Sequence, residues 1–449
     1  MGAVQHDPRD LKQEEDLVMR ESCQRCLNAG LLMIVFFALL LWGTPKVSAE
    51  IVEEFSDALK SGKPTLELRL SYEYSNYHDT AYPLKHPANG LNLRTRVGYR
   101  TGEFMKTTAY VQLQNVTNFM EQFRFKRGYP TGSWRGDTAN DVIADPDGSR
   151  VHQAYLDLKF IPDTVVRLGR QEIILDDHRL IGNINWRQNG QSFDAVTVTN
   201  NSIANLTLFA GYINQVNTIL LGYMDLDAMY LFHAKYTGIK DQSLSAFVYL
   251  LDTEDDTPAA RDCATYGLRA TGKVAMIKYA VDYAYQEDFQ DGDHHQGQMF
   301  NAFVGTQLGI TSFGVGYSYI SGKNGQNDRA FDTLFSTAHK FNGWADQFLA
   351  TNGGTWDPGL QDCYAQAGVN VMGVKFLAVY HYFDSTDEKD QFDGVIGDEI
   401  DLLATKKFTK NMSGLLKFAY YSQRDDEANG QANPTRDETV FWARLMYKF

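Results

Sequence analysis

The run from Glu438 to Phe449 places Phe441, Ala443, Leu445, Tyr447 and Phe449 in strict alternation with Val440, Trp442, Arg444, Met446 and Lys448. Successive side chains of an extended strand point to opposite faces, so this segment shows hydrocarbon on one side and a mixed, partly charged surface on the other. A tilted strand crossing a bilayer needs that division, with lipid outside and a wet lumen inside. A half-buried soluble sheet asks for something similar, so the rest of the chain has to decide.

Alternating runs bounded by turn residues recur eighteen times, each near the ten or so residues that a tilted strand needs to cross hydrocarbon. The first five are Thr65 to Tyr74, Leu91 to Arg100, Met105 to Gln114, Arg150 to Phe160 and Thr164 to Ile173. Eight follow at Phe193 to Asn200, Ile203 to Ile213, Ala228 to Thr237, Ser243 to Leu251, Ala264 to Gly272, Met276 to Gln286, Met299 to Gly309 and Ser312 to Ile320. Cys363 to Met372, Lys375 to Asp384, Glu399 to Lys406, Gly414 to Ser422 and Glu438 to Phe449 complete the set. Short links, such as Thr101-Gly-Glu103, Ile161-Pro-Asp163, Asn200-Asn-Ser202, Lys240-Asp-Gln242 and the turn around Gly373, alternate with long ones at 115–149, 174–192, 321–362 and 423–437. Outer-membrane barrels sort their connections in this way, with short turns in the periplasm and long loops outside. The expected fold is therefore all-β: a transmembrane antiparallel β-barrel of about eighteen strands, in the outer membrane of a Gram-negative bacterium.

Composition agrees. With 25 Tyr, 27 Phe and 37 Gly against 11 Pro, the 449 residues suit aromatic-rich strands joined by turns. The mean hydropathy of −0.36 excludes a bundle of membrane helices.

The uncharged stretch from Cys26 to Pro45, followed by Val47-Ser-Ala49, reads as a signal peptide cut after Ala49, with Met19 as an alternative start. Residues 50–449 would then form the barrel, leaving only about fifteen residues before the first strand and no space there for a plug domain. Twenty uncharged residues are also enough for a retained membrane anchor. Without the leader the chain carries 37 basic and 50 acidic residues, a balance unsuited to binding nucleic acid. Cys263 and Cys363 remain, and sequence leaves open whether they pair.

If the apolar phase of each strand faces lipid, the opposite phase lines the lumen, and it is rich in cations. Arg69, Arg94, Arg96, Arg100, Lys159, Arg167, Lys235, Arg269, Lys278, Lys375, Lys417, Arg444 and Lys448 fall there, against Glu67, Glu73, Asp157, Asp282, Glu399, Asp401 and Glu438. Acidic residues collect instead in loops, as in Asp252 to Asp256, Glu287 to Asp293 and Arg424 to Glu427. Guanidinium groups along a passage offer forked donors to successive carboxylates, so the lumen reads as a path for an anion. The alternative is that these cations only neutralise the lumen acids.

Val166-Arg-Leu-Gly-Arg-Gln-Glu172, Leu175-Asp-Asp-His-Arg-Leu-Ile-Gly182 and Trp186-Arg-Gln-Asn-Gly-Gln-Ser-Phe-Asp194 together resemble the signature of the alginate export family. The resemblance extends over nearly all of the sequence after the leader. It implies an eighteen-stranded outer-membrane barrel whose arginine-rich lumen conducts an anionic uronate polymer. It further implies that Arg170, Arg179, Arg187 and Asp194 belong to the pore or its constriction loop, with Gly169, Gly182 and Trp186 shaping that loop. Members range from dedicated alginate secretors to general porins, and the signature does not separate them. The segment 174–192 also stands out by itself, because Ile174, Leu175, Leu180, Ile181, Ile184 and Trp186 are too apolar for a solvated loop.

The expected function is a passive channel for acidic saccharides, with no covalent chemistry and no cofactor or metal. A general porin for small solutes and a barrel serving adhesion or a periplasmic secretion complex are the alternatives. An outer-membrane hydrolase would need a nucleophile beside His152, His233 or His381, and no nucleophile motif is present. Asp291-Gly-Asp-His-His295 and Asp145-Pro-Asp-Gly148 have metal-binding residue types, but a polar loop tip and a type I turn account for them. Tyr72, Tyr74, Tyr99, Tyr317 and Tyr319 read as an interfacial girdle. Lipid, and lipopolysaccharide bridged by divalent cations to acidic loops, are the expected surroundings.

Overall fold

The structure is a computed structural model that describes residues 45–77, 86–128, 132–137, 139–253, 262–290, 296–323, 330–349, 358–386, 392–425, 427–428, 431–433 and 435–449. It divides into two units, Met1–Ser61 and Gly62–Phe449. In the first, helix α1 spans Pro45–Lys60, so that Ala49 lies within it, while residues 1–44 are outside the described residues. Among the described residues no helix is long and apolar enough to cross a membrane.

The second unit is a closed sheet of eighteen strands. In chain order they are β1 Lys63–Tyr77, β2 Ala88–Arg100, β3 Thr107–Gln122, β4 Gly148–Leu158, β5 Thr164–Gln171 and β6 Ser192–Ile203. Next come β7 Leu206–Asn217, β8 Tyr223–Tyr236, β9 Gln242–Thr253, β10 Cys263–Val274, β11 Ile277–Asp288 and β12 Gln296–Leu308. The last are β13 Thr311–Ile320, β14 Leu360–Val371, β15 Val374–Asp384, β16 Val395–Lys407, β17 Met412–Gln423 and β18 Glu438–Lys448. Each pairs antiparallel with its neighbour in sequence, and β18 returns to β1 with Glu67 opposite Lys448 and Tyr77 opposite Glu438. This is the expected barrel, and every one of the eighteen expected runs falls on a strand.

Alternation sets which side chains face which solvent. In β18 Trp442 is 1% exposed and faces inward, while Leu445, at 44%, faces outward, as do Leu268 on β10 and Val315 on β13. The short-turn end is made by reversals such as Met372-Gly373, where both residues take positive φ, 51° and 75°. A two-residue hairpin needs this mirror-image turn to match the twist of its strands, and glycine meets it without steric cost.

Strand ends shift by a few residues throughout, and two larger departures from expectation stand out. β3 continues to Gln122, eight residues past the expected end, because Asn115, Thr117 and Asn118 keep the ladder bonded after the apolar phase has stopped. A strand beyond the bilayer needs no hydrocarbon face, so polarity does not mark its end. The segment 330–349 is the second: expected as part of an outer loop, it turns into the barrel, where Phe331 is fully buried. Cys263 and Cys363 are both free thiols.

Candidate functional site

Two inward-folded segments narrow the lumen: 172–191, between β5 and β6, and 330–349, between β13 and β14. They are joined to one another by backbone. The Gly182 N–H donates to the Phe335 carbonyl, the Phe335 N–H to Leu180 and the Thr337 N–H to His178, each at 2.9 Å. Ile181, fully buried, bridges Phe335 in parallel, and the Phe335 ring meets Phe193 of β6 edge-on at 5.9 Å. Glycine is required at 182, because an added Cβ would stand 2.3 Å from Thr337 Oγ1 and 2.9 Å from His178 Cβ. Gly182→Ala is expected to force the segments apart at a cost of about 1–3 kcal/mol, seen as a lower urea midpoint for the purified barrel; an unchanged midpoint would contradict the contact.

The wall arginines hold the first of these segments. Arg69 Nη1 donates to the carbonyls of Asn185 at 2.7 Å and of Trp186 and Arg187 at 3.3 Å. Fully buried Arg94 reaches Asn185 Oδ1 at 2.9 Å and the Gln188 carbonyl at 3.3 Å, and it also pairs with Glu67. Arg96 bonds Gln114 Oε1 at 2.7 Å and lies 3.6 Å from Glu172. From the segment itself Arg187 returns to the wall at Glu73, 2.8 Å away, with Asp346 at 3.2 Å and Asp145 at 3.9 Å. Asp145 also accepts the Gln188 N–H at 2.7 Å, so the Asp145-to-Gly148 segment, irregular up to the start of β4 rather than a hydrogen-bonded turn, serves as an anchor for the narrowing. Burial pushes the Asp346 carboxyl up to about 6, although Arg187 and Lys417 pull it down.

Other predicted residues separate into groups. Arg167 is paired in a fork with Asp157, at 2.6 and 3.0 Å, and Arg100 shares that carboxylate at 3.2 Å. Arg269 is paired with Asp177 at 2.8 Å and with Asp282, and Lys235 lies 3.6 Å from Asp176. Arg179 donates to Asn301 Oδ1 at 2.6 Å and to Ser318, over the Phe341 ring. Lys159 bonds Glu103 at the turn end, and Lys278 stands opposite Lys273. Arg170 and Asp194 form a forked pair at 2.7 and 2.9 Å, but not in the pore. They share a strand phase with Leu168 and with Val196, which is 43% exposed on the outer wall, whereas Gln171 and Phe193 point inward. Gly169 likewise sits within β5. Its φ of +120°, and the Ala154 carbonyl oxygen 2.4 Å from where a Cβ would stand, leave no space there for a side chain.

What remains open is a cavity of about 1180 Å³, bordered by both segments and running to the short-turn end at Lys375, Lys410 and Lys448. Ten Lys or Arg residues line it against three Asp, namely Asp177, Asp282 and Asp362. Among the described residues no carboxylate lies within 4.0 Å of Arg69, Arg179, Arg444, Lys340, Lys375 or Lys417. Most of these cations lie on one arc, formed by β15, β17, β18 and β1. Lys417, Trp442, His339, Trp344 and Asp346 complete the site; the alternating pattern puts Lys417 and Trp442 in the lumen phase, whereas no sequence signal marks His339, Trp344 or Asp346 as pore residues. Trp186, expected to shape the constriction, stacks on His339 at 4.0 Å with the Arg444 guanidinium 3.6 Å over its ring. Among the described residues no group of three or more His, Cys, Asp or Glu side chains is arranged to hold a metal ion. The Asp291-to-His295 cluster is outside the described residues.

A closed eighteen-stranded cylinder, lipid-facing outside and narrowed inside by two of its own loops, is an outer-membrane channel of the porin type. The chain belongs to the alginate export family, which matches residues 65–422. Its fold is similar to that of Pseudomonas aeruginosa OccK11 (OpdR), with a TM-score of 0.60 at 14% identity over 88% of this chain and 97% of that one. Acinetobacter baumannii OccAB4 gives 0.65 at 12% over 86% and 98%, and the outer membrane protein opdK of Pseudomonas aeruginosa 0.62 at 13% over 87% and 99%. No curated protein matches the chain.

Proposed function

We propose that the barrel conducts anions by passive diffusion, and that its substrates are acidic saccharides of the uronate class. The observation that carries this reading is the lining of the cavity, ten cations against three carboxylates, with every one of those cations except Lys448 free of any carboxylate within 4.0 Å among the described residues. An unneutralised cation in a narrow, low-dielectric passage raises the local concentration of anions. The strand arginines contribute less than their number suggests, because Arg94, Arg96, Arg167 and Arg269 are spent on carboxylates. No covalent step is assigned to the protein, and residues 1–49 are taken as its export signal. Lipid and lipopolysaccharide would surround the wall, and periplasmic partners would meet the short-turn end.

A second reading, a general porin for small anions, draws support from how far the two inward segments fill the lumen. Block of channel current by oligouronates of increasing length separates the two. Purified protein in a planar bilayer, with oligouronates on one side only, is expected to show anion-selective current and block that strengthens with length. Anion selectivity with block independent of length would favour the general porin, and cation selectivity without block would overturn both.

A further inference from the structure

Lys417 occupies an unusual position for a buried cation. Its Nζ lies 3.8 Å from the ring centre of Trp344, 4.2 Å from Trp186 and 5.3 Å from Trp442, and 2.7 Å from His339 Nε2. Three indole faces make the close contacts that a carboxylate ordinarily makes to a buried ammonium, since the negative face of an aromatic ring attracts a cation, while the Asp401 and Asp346 carboxylates act on it from farther off.

The residues come from different parts of the chain. Trp186 belongs to the segment 172–191, His339 and Trp344 to the segment 330–349, and Lys417 and Trp442 stand directly opposite each other on β17 and β18. An ammonium can only donate, so His339 Nε2 accepts, and the ring proton must then sit on Nδ1, which donates to Asp346 Oδ1 at 2.7 Å. Asp346 Oδ2 in turn takes Arg187 at 3.2 Å, and Arg187 reaches Glu73 on β1. One chain of contacts therefore runs from the β17 wall through both segments to the β1 wall. Burial holds the His339 imidazole well below the ordinary histidine range, with Lys417, Arg187 and Arg444 pushing the same way, so Nε2 stays an acceptor.

We propose that Lys417 is a positioning residue that sets the bore of the channel, fastening both inward segments to the wall through Trp186, His339 and Trp344. Its effect on permeation is exerted through those groups and does not depend on which solute passes. Removing the ammonium leaves His339 Nε2 without its donor and the three indoles without the charge that gathers them. Both segments then lose the same attachment.

The test compares full-length wild type with Lys417→Met, Lys417→Arg and His339→Phe in planar bilayers, measuring single-channel conductance and the largest polyethylene glycol that enters. Lys417→Met is expected to raise conductance several-fold and to admit larger polymers. His339→Phe should act in the same direction, while Lys417→Arg, still a donor and still a cation over the rings, restores the wild-type limit. Loss of a lumen charge alone changes ion preference and leaves the polymer limit where it was, so the limit is the deciding readout. An unchanged limit in both Lys417→Met and His339→Phe, or a limit in Lys417→Arg as large as in Lys417→Met, would overturn the proposal. Should Lys417→Met fail to fold, His339→Phe carries the test.

Discussion

Replacing Lys375, Lys407 and Lys410 together by Glu is expected to lower the anion-to-cation permeability ratio by about tenfold, read from the reversal potential across a salt gradient. All three border the cavity at its short-turn end and are exposed, so the barrel should fold as before. Two unit charges about 8 Å apart in water interact by roughly 0.5 kcal/mol, and reversal of sign doubles the change at each position. Screening over a Debye length of about 10 Å at 0.1 M salt removes a large share of this sum. A wild-type reversal potential in the triple variant would mean that these lysines do not face the permeating ion.

Substitution of Arg187 by Met should produce the largest loss of stability of any single change in the narrowing, about 3–5 kcal/mol, the usual consequence of leaving a buried carboxylate without its partner. Glu73 is 2% exposed, and Asp145 and Asp346 depend on the same guanidinium. Urea unfolding of the purified barrel measures the cost. Adding Glu73→Gln to Arg187→Met is expected to recover part of it, because the neutral amide removes the uncompensated charge. Arg167→Met should cost less, since Asp157 retains Arg100. Equal losses at Arg187 and Arg167 would show that water reaches the Glu73 carboxylate once its partner is gone.

The barrel was legible in the sequence because lipid imposes a period of two on every strand, and that period survives in residues as plain as Leu445, Tyr447 and Phe449. The segment 172–191 announced itself through apolar residues where a solvated loop would be polar. The same signal lies in Phe331, Leu334, Phe335, Trp344 and Phe348, all buried or packed against the core, but there it is diluted by the length of the outer connection that contains it. Spacing alone excludes Arg170 from the pore, since residues three apart on a strand, Arg167 and Arg170, cannot both face the lumen. The partners of Arg69 were beyond reach of any pattern, because they are the main-chain carbonyls of 185–187 and the Asn185 side chain, brought near by a fold-back of the loop. Charge counting by phase assigned cations to the lumen face, and it could not tell which of them carboxylates would neutralise.

The seam between β1 and β18 sets the order in which this molecule is made. Arg444 donates to Ser71 across a separation of 373 residues, and the anchors of the narrowing are drawn from β1, β2, β16, β17 and β18. Joining such distant parts carries the full entropy of closing the longest loop in the chain. The last hairpin to be synthesised is therefore the one that allows both the cylinder and its aperture to exist. An assembly intermediate stalled before that point has two raw strand edges and no narrowing, so the machinery that inserts it must shield the former while the bilayer tolerates the latter.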